Sequence, residues 1–298
     1  METEYLSYFK ETPQGTVLLK KDLSDSQLVA IAGTLDNIAE LYWKIGDYSR
    51  ALSIYQKTLL LREEILGLEH RGTAESYYNI GNVYNDMGDY NKALEYFNKA
   101  LEIQEKVLGK EHPDTAKSYN NVGFVYDDMG DYNKALEYYF KASEINEKVL
   151  GLEHPNTATS YNNIGLVYQN TGDYDKALEY YFKDLEICKK VLGLEHPDTA
   201  TSYNNIGGVY DNMGDYNKAL EYHYKALEIR KKVLGLEHPD TAGSYNNIGL
   251  VYYNTGDYNK ALEYYNKALK IWEKVLGKDH PNTKIVLENI EVLHFKIL

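Results

Sequence analysis

The chain has 298 residues, 32 of them Lys or Arg against 45 Asp or Glu, for a net charge of −13 at pH 7. A polyanion of this sign repels nucleic acid and anionic lipid surfaces, so neither is expected as a partner. A single cysteine, Cys188, excludes an intramolecular disulfide framework, no apolar run reaches the ~18 to 20 residues that span a bilayer, and METEYLSYFKETPQG lacks a signal peptide's order, so a cytoplasmic chain is expected.

Residues 1–23 have no later counterpart. Leu6 and Phe9 predict a short amphipathic turn or helix ahead of Pro13-Gln14-Gly15. Ser24-Asp25 marks a helix start, and Ser26 to Ile45 fits a lengthened first helix with Leu35, Ile38 and Tyr42 at packing positions, as a terminal cap requires. The region 24–282 then holds six copies of one unit. Gly-Asp-Tyr begins at Gly46, Gly88, Gly130, Gly172, Gly214 and Gly256, a constant spacing of 42, and Leu-Gly-x-Glu/Asp-His keeps step from Leu66 to Leu276. Self-similarity at this period means stacked units that contact their neighbours and share no single core.

Each unit resolves into two helices. In the third, Tyr119, Val122 and Tyr126 mark one face of a helix from Asp114 to Met129, with Pro113 suited to its first turn. Gly130 supplies a left-handed C-terminal position and Asp131 an N-cap, so a second helix runs from about Tyr132 to Leu150, with Ala135, Leu136, Tyr139, Ala142, Ile145 and Val149 at helical spacing. Gly123 and Ala135 predict a close approach of the two backbones, and the rings of Tyr96, Tyr138, Tyr180, Tyr222 and Tyr264 are expected to fill the seam. The connector His70-Arg71-Gly72, without the Pro of later units, is the expected hinge. A last helix over 283–298, from Thr283 to about Lys296, should pack through Leu287, Ile290 and His294. Its apolar end, Leu293, Phe295, Ile297 and Leu298, suggests self-association there.

The pattern Tyr119…Val122-Gly123…Tyr126…Ala135…Tyr139…Ala142 resembles the tetratricopeptide repeat, and the 42-residue length resembles the kinesin light chain variety. The resemblance implies an all-α, right-handed superhelical solenoid whose first helices line a concave peptide groove. That surface would show Asn79, Asn121, Asn163, Asn205 and Asn247 beside Asn120, Asn162, Asn204 and Asn246. A carboxamide donates and accepts, so such a ladder can hold both groups of a peptide unit on an extended ligand; alternatively, one Asn of each pair bonds the adjacent helix. Trp43, Tyr78, Phe124 and Tyr253 are aromatic anchor candidates, and Gly208 and Gly243 could leave a recess. The lysines and arginines of chaperone-binding relatives are missing, and Asp36, Glu40, Glu75, Asp86, Asp127, Asp128 and Asp211 favour a neutral or basic protein segment.

No nucleotide loop, metal cluster or nucleophile motif is recognisable, so a non-catalytic scaffold without a cofactor is expected. The alternatives are a kinesin-light-chain-like cargo adaptor, a regulatory region of an effector complex, and a self-assembling spacer. The histidines His70, His112, His154, His196, His238 and His280 are too far apart to share a metal between layers and read as structural. Cys188 is expected on an exposed face, where Lys189 and Lys190 would favour its thiolate. Asp184 replaces the Ala of sister units at a position facing the next unit, where it either reaches solvent or a tyrosine, or weakens the joint.

Overall fold

The computed structural model describes residues 9–12, 15–18 and 23–297. Strands β1 (Phe9–Thr12) and β2 (Gly15–Leu18) form an antiparallel hairpin that pairs Phe9 with Leu18. Phe9 therefore opens a strand and not the expected turn or helix, while Leu6 lies outside the described residues. Thirteen helices follow: α1 (Asp25–Lys44), α2 (Tyr48–Leu66), α3 (Arg71–Asp86), α4 (Tyr90–Val107), α5 (Pro113–Asp128), α6 (Tyr132–Val149), α7 (Pro155–Thr171), α8 (Tyr174–Val191), α9 (Pro197–Asn212), α10 (Tyr216–Val233), α11 (Pro239–Asn254), α12 (Tyr258–Val275) and α13 (Pro281–Ile297). They pack as consecutive helix pairs in two compact units, divided between Val149 and Leu150, each a solenoidal stack.

The repeat dictates its own punctuation. Gly46, Gly88, Gly130, Gly172, Gly214 and Gly256 all adopt φ of 76 to 82°, a left-handed conformation that closes each first helix. The next residue, as at Asp89 or Asp131, turns its carboxylate back to accept from the backbone N–H three residues on, at 3.3 Å in both cases. At the other joint each histidine caps the following helix, its Nδ1 accepting from the N–H two residues on at 3.0 Å for His70 and 3.2 Å for His196. The structural role expected of the histidines is thus a helix cap. Ser24 and Gln27 form a full capping box at the start of α1.

Within each pair, glycine admits the partner helix. A Cβ on Gly123 would stand 2.9 Å from the Tyr139 ring and 3.3 Å from the Ala135 carbonyl, the close approach that the sequence predicts. Tyr138 stacks on Tyr126 with centroids 5.7 Å apart and tilts against Tyr119 at 6.1 Å. Val149, expected inside, is exposed. In α13 the buried residues are Thr283, Val286, Ile290 and Leu293, so Leu287 and His294 fall on the rim and not in the core. Phe295 is 83% exposed; the Ile297 side chain and Leu298 lie outside the described residues. At the joint from His70 to Gly72, the expected hinge, the Arg62 guanidinium donates to the Gly72 carbonyl at 3.2 Å and to Ser76 Oγ at 2.9 Å. Among the described residues no helix is long and apolar enough to cross a membrane.

Candidate functional site

Within each compact unit, a joint between repeats is built from the first and second helices of one repeat and the first helix of the next. Its fixed parts are a buried threonine that donates to the connector glycine, as Thr73 to Gly67 O at 2.7 Å and Thr199 to Gly193 O at 2.8 Å, and a buried serine one turn further along. Its variable part is one residue of the second helix, which runs through the chain as Arg62, Gln104, Asn146, Cys188, Arg230 and Trp272. Arg62 and Arg230 each bond the serine of the next first helix, Ser76 and Ser244, at 2.9 Å. Ser118 donates to Gln104, and the Trp272 indole N–H reaches Pro239 O at 3.1 Å. Where this residue is short, space remains. A cavity of 380 Å³ opens beside Gln104, walled by Tyr78, Asn79 and Asn121 with Arg71, Glu75 and Lys117, and one of 210 Å³ opens over Cys188.

The asparagine rows follow the first helices and are cross-linked from repeat four to repeat six. Asn205 Nδ2 donates to Asn162 Oδ1 and Asn247 Nδ2 to Asn204 Oδ1, both at 2.7 Å and both 43 residues apart. Two turns further along the same helices the pattern recurs, with the Trp43 indole donating to Asp86 at 2.7 Å and Asn254 donating to Asp211 at 3.0 and 3.1 Å. Three carboxamide atoms of the first row have no protein partner, namely Asn120 Oδ1, Asn121 Nδ2 and Asn246 Oδ1. For Asn121 the cause is local, since the position that supplies an acceptor to Asn205 and Asn247 is here Tyr78. Asn79, Asn121, Asn163, Asn205 and Asn247 are all half-buried.

Of the aromatic candidates, Phe124 is free to contact a ligand, with 45% of its surface exposed. Tyr78 packs on Phe97 at 5.7 Å with the Lys117 ammonium 5.5 Å from its ring, and Tyr253 is half-buried against Tyr258. An added Cβ would meet only Gln169 at Gly208 and Trp272 at Gly243, so both positions are open, but the two cavities lie elsewhere.

The tetratricopeptide-repeat model matches residues 30–106, 73–148, 128–183, 163–232, 199–271 and 240–297, together covering nearly all of the described chain. The chain is a tetratricopeptide-repeat protein. Among solved structures, it is similar to BtubC (BKLC) from P. vanneervenii, at 25% identity over 87% of this chain and 95% of that one, with a TM-score of 0.62. The putative kinesin light chain repeats of Podosopora anserina match at 27% identity, covering 69% of this chain and 98% of theirs, with a TM-score of 0.59. The apo form of RapI shares the fold at 19% identity and a TM-score of 0.60, covering 89% and 98%. No curated protein sequence matches.

In this tetratricopeptide-repeat protein, sequence reasoning misplaced or missed three buried polar side chains of repeats four and five. Asp184 is 5% exposed; it neither reaches solvent nor bonds a tyrosine but accepts from Ser202 Oγ at 2.6 Å and from the Cys188 thiol at 3.5 Å. Burial raises its pKa to about 6, against the lowering effect of those two bonds and with the like charge of Asp198 adding to the rise. Cys188 is buried and not exposed, and burial with Asp184 alongside pushes its thiol up to about 12, opposite to the thiolate expected beside lysines. Lys190 turns away to Glu153, and Lys189 lies over the Tyr203 ring at 5.1 Å. His223 stands where sister repeats have Tyr139, Tyr181 and Tyr265; burial, helped by Arg230, pulls its pKa down to about 4, and its Nδ1 lies 3.1 Å from Asn204 Oδ1. Since Asn204 Oδ1 only accepts, the neutral ring carries its proton on Nδ1. The signal in sequence was the helical spacing itself, because Asp184 and Cys188 are four apart and must share a face.

Proposed function

We propose that the protein is a non-catalytic interaction scaffold that binds an extended, neutral or basic protein segment along the face formed by its first helices. Membership of the tetratricopeptide family supports the scaffold role. The observation that carries the binding site is the pairing of an orphaned donor, Asn121 Nδ2, with the 380 Å³ cavity walled by Asn79, Tyr78 and Asn121. A buried amide without a partner is unfavourable by about 1 to 3 kcal/mol, and a main-chain carbonyl of an extended ligand is a suitable acceptor. Asn79 offers both a donor and an acceptor one repeat earlier, and Phe124 supplies exposed apolar surface. In repeats four to six, part of the row is already engaged by Asn205 and Asn247, so ligand contacts there fall to the remaining amide and carbonyl atoms, such as Asn246 Oδ1.

A peptide-display selection on the parent chain and on an Asn79→Ala/Asn121→Ala variant of equal helicity tests this reading. Selected peptides should bind the parent and lose about tenfold or more in affinity on the variant, the scale of one or two hydrogen bonds. Equal affinity for both proteins would move the site off this face.

A further inference from the structure

Two joints of the chain hold a guanidinium in the same way. Arg62 Nη1 donates to Gly72 O at 3.2 Å and to Ser76 Oγ at 2.9 Å, and Arg230 Nη1 donates to Asp240 O at 3.2 Å and to Ser244 Oγ at 2.9 Å. In the first of these a carboxylate completes the cradle, with Arg62 Nη2 at 2.6 Å from Asp36 Oδ2. The repeat thus contains a cradle for a planar cation, made of one carbonyl and one hydroxyl from the start of the following first helix.

At the joint between repeats four and five the cradle stands without its cation. The arginine position is Cys188, whose thiol is too short to fill it, and a 210 Å³ recess remains, lined by Asp184, Ser202, Asp198, Asn162 and Thr159 among others. Asp198 and Ser202 are the counterparts, by the 42-residue repeat, of Asp240 and Ser244 in the occupied joint. Asp184 adds a carboxylate where repeats two, three, five and six have alanine. It is buried, and the one charged group that perturbs it is Asp198, of the same sign. None of the three neighbouring lysines of α8 supplies a counter-ion, since Lys183 pairs with Glu179, Lys190 pairs with Glu153 and Lys189 lies over the Tyr203 ring. A buried carboxylate of this kind is costly unless a cation meets it. Among the described residues no cluster of side chains suits a metal ion.

We propose that this recess binds a guanidinium supplied by another molecule, the arginine side chain of a partner protein, in the place that Arg62 and Arg230 occupy within the chain. Ser202 keeps its hydrogen on Asp184 and accepts from the guanidinium, the Asp198 carbonyl accepts a second N–H, and Asp184 provides the opposite charge. Arginine is favoured over lysine because the cradle offers separated acceptors that a planar fork reaches together and a point-like ammonium does not. The recess lies beside Asn162 and deepens the reading of the first-helix face as a peptide site, but it is tested with a probe that does not depend on that reading.

The probe is N-acetyl-arginine amide, with the citrulline analogue as its neutral counterpart, titrated into the full chain while the Asp184 carboxyl carbon is followed by NMR. Reaction of Cys188, the one cysteine of the sequence, with a small thiol reagent gives a second readout. The arginine compound should shift the Asp184 signal saturably and slow modification of Cys188, and the citrulline compound should do so at least tenfold more weakly. In Cys188→Arg the chain's own guanidinium refills the cradle, so that variant should stay folded and show no shift at Asp184. Asp184→Ala, which restores the residue of the sister repeats, should protect Cys188 no better with the arginine compound than without it. Equal responses to arginine and citrulline, or an undiminished response in folded Cys188→Arg, would overturn the proposal. An arginine response that persists while display selection yields no peptide would instead count against the extended-segment reading alone.

Discussion

Two side chains in neighbouring repeats give stability opposite dependences on pH. Asp184 has a folded pKa of about 6, above the ordinary carboxylate value of ~3.9, so the native state binds its proton more tightly. Its contribution is therefore most favourable below ~pH 4 and is lost as pH rises through about 6. Asp184→Ala should stabilise the chain at pH 7 by up to about 3 kcal/mol, the equivalent of two pKa units, with the gain shrinking toward pH 4. His223 behaves in reverse, because burial lowers its folded pKa to about 4 from the usual ~6.5. Its neutral form stabilises the fold above ~pH 6.5, and that contribution disappears as pH falls through about 4. His223→Tyr should remove an acid-induced loss of about 3 kcal/mol between those limits. Denaturant midpoints of the parent and the two single variants at pH 7, 5.5 and 4.5 would separate the effects; parallel curves for all three would refute both. The sequence set Asp184 facing the next repeat with burial as one of two outcomes, whereas the burial of His223 was not read from it. The helical phase of Asp184 and Cys188 was available, but what lies opposite them is Ser202, 18 residues away from Asp184 and visible only once the helices are stacked.

At the scale of the helix, the sequence is most legible where one residue type carries one geometric duty. Every helix-pair turn was recoverable, because left-handed glycine followed by a capping aspartate leaves the chain few alternatives. The glycines inside helices divide into two kinds that composition alone does not distinguish. A Cβ on Gly165 would lie 2.8 Å from the Tyr181 ring, whereas one on Gly33 meets nothing within 4 Å. Gly165→Ala should therefore destabilise by roughly 1 to 3 kcal/mol through overpacking, while Gly33→Ala should stabilise α1 by roughly 0.5 to 1 kcal/mol. Thermal unfolding of the two variants checks both signs. The misassigned register of α13 has a related cause. Leu287 and His294 occupy the places of Tyr245 and Tyr252, which are packed against Tyr264 of the second helix at 6.2 and 5.5 Å; among the described residues no second helix packs over them. Adding 42 to the buried positions Ser244, Ile248 and Val251 gives Val286, Ile290 and Leu293, the residues that are in fact buried. The lateral asparagine bonds were harder to foresee, since they join positions 43 residues apart, one more than the repeat, and so depend on how successive helices are offset.

For the molecule as a whole, stability is a sum of repeats and their nearest-neighbour joints, so damage should stay local. Removal of α13 uncovers Trp272, Ile271 and Tyr265 and should lower hydrogen-exchange protection in α11 and α12 while leaving α7 and α8 unchanged. Loss of protection spreading to α7 would show that the units are coupled beyond their neighbours. The joints also have a consequence for how such a chain can change length. The histidine cap and the threonine-to-glycine bond recur at the described joints, so the end of one repeat accepts the start of another whatever its number. A recombination event that inserts or deletes one 42-residue block in frame therefore leaves every remaining joint with a complete set of bonds. What such an event reorders is the series Arg62, Gln104, Asn146, Cys188, Arg230 and Trp272, each travelling with its own second helix. The lining of the joints in this architecture can thus be edited by shuffling whole cassettes, with foldability carried unaltered from one arrangement to the next.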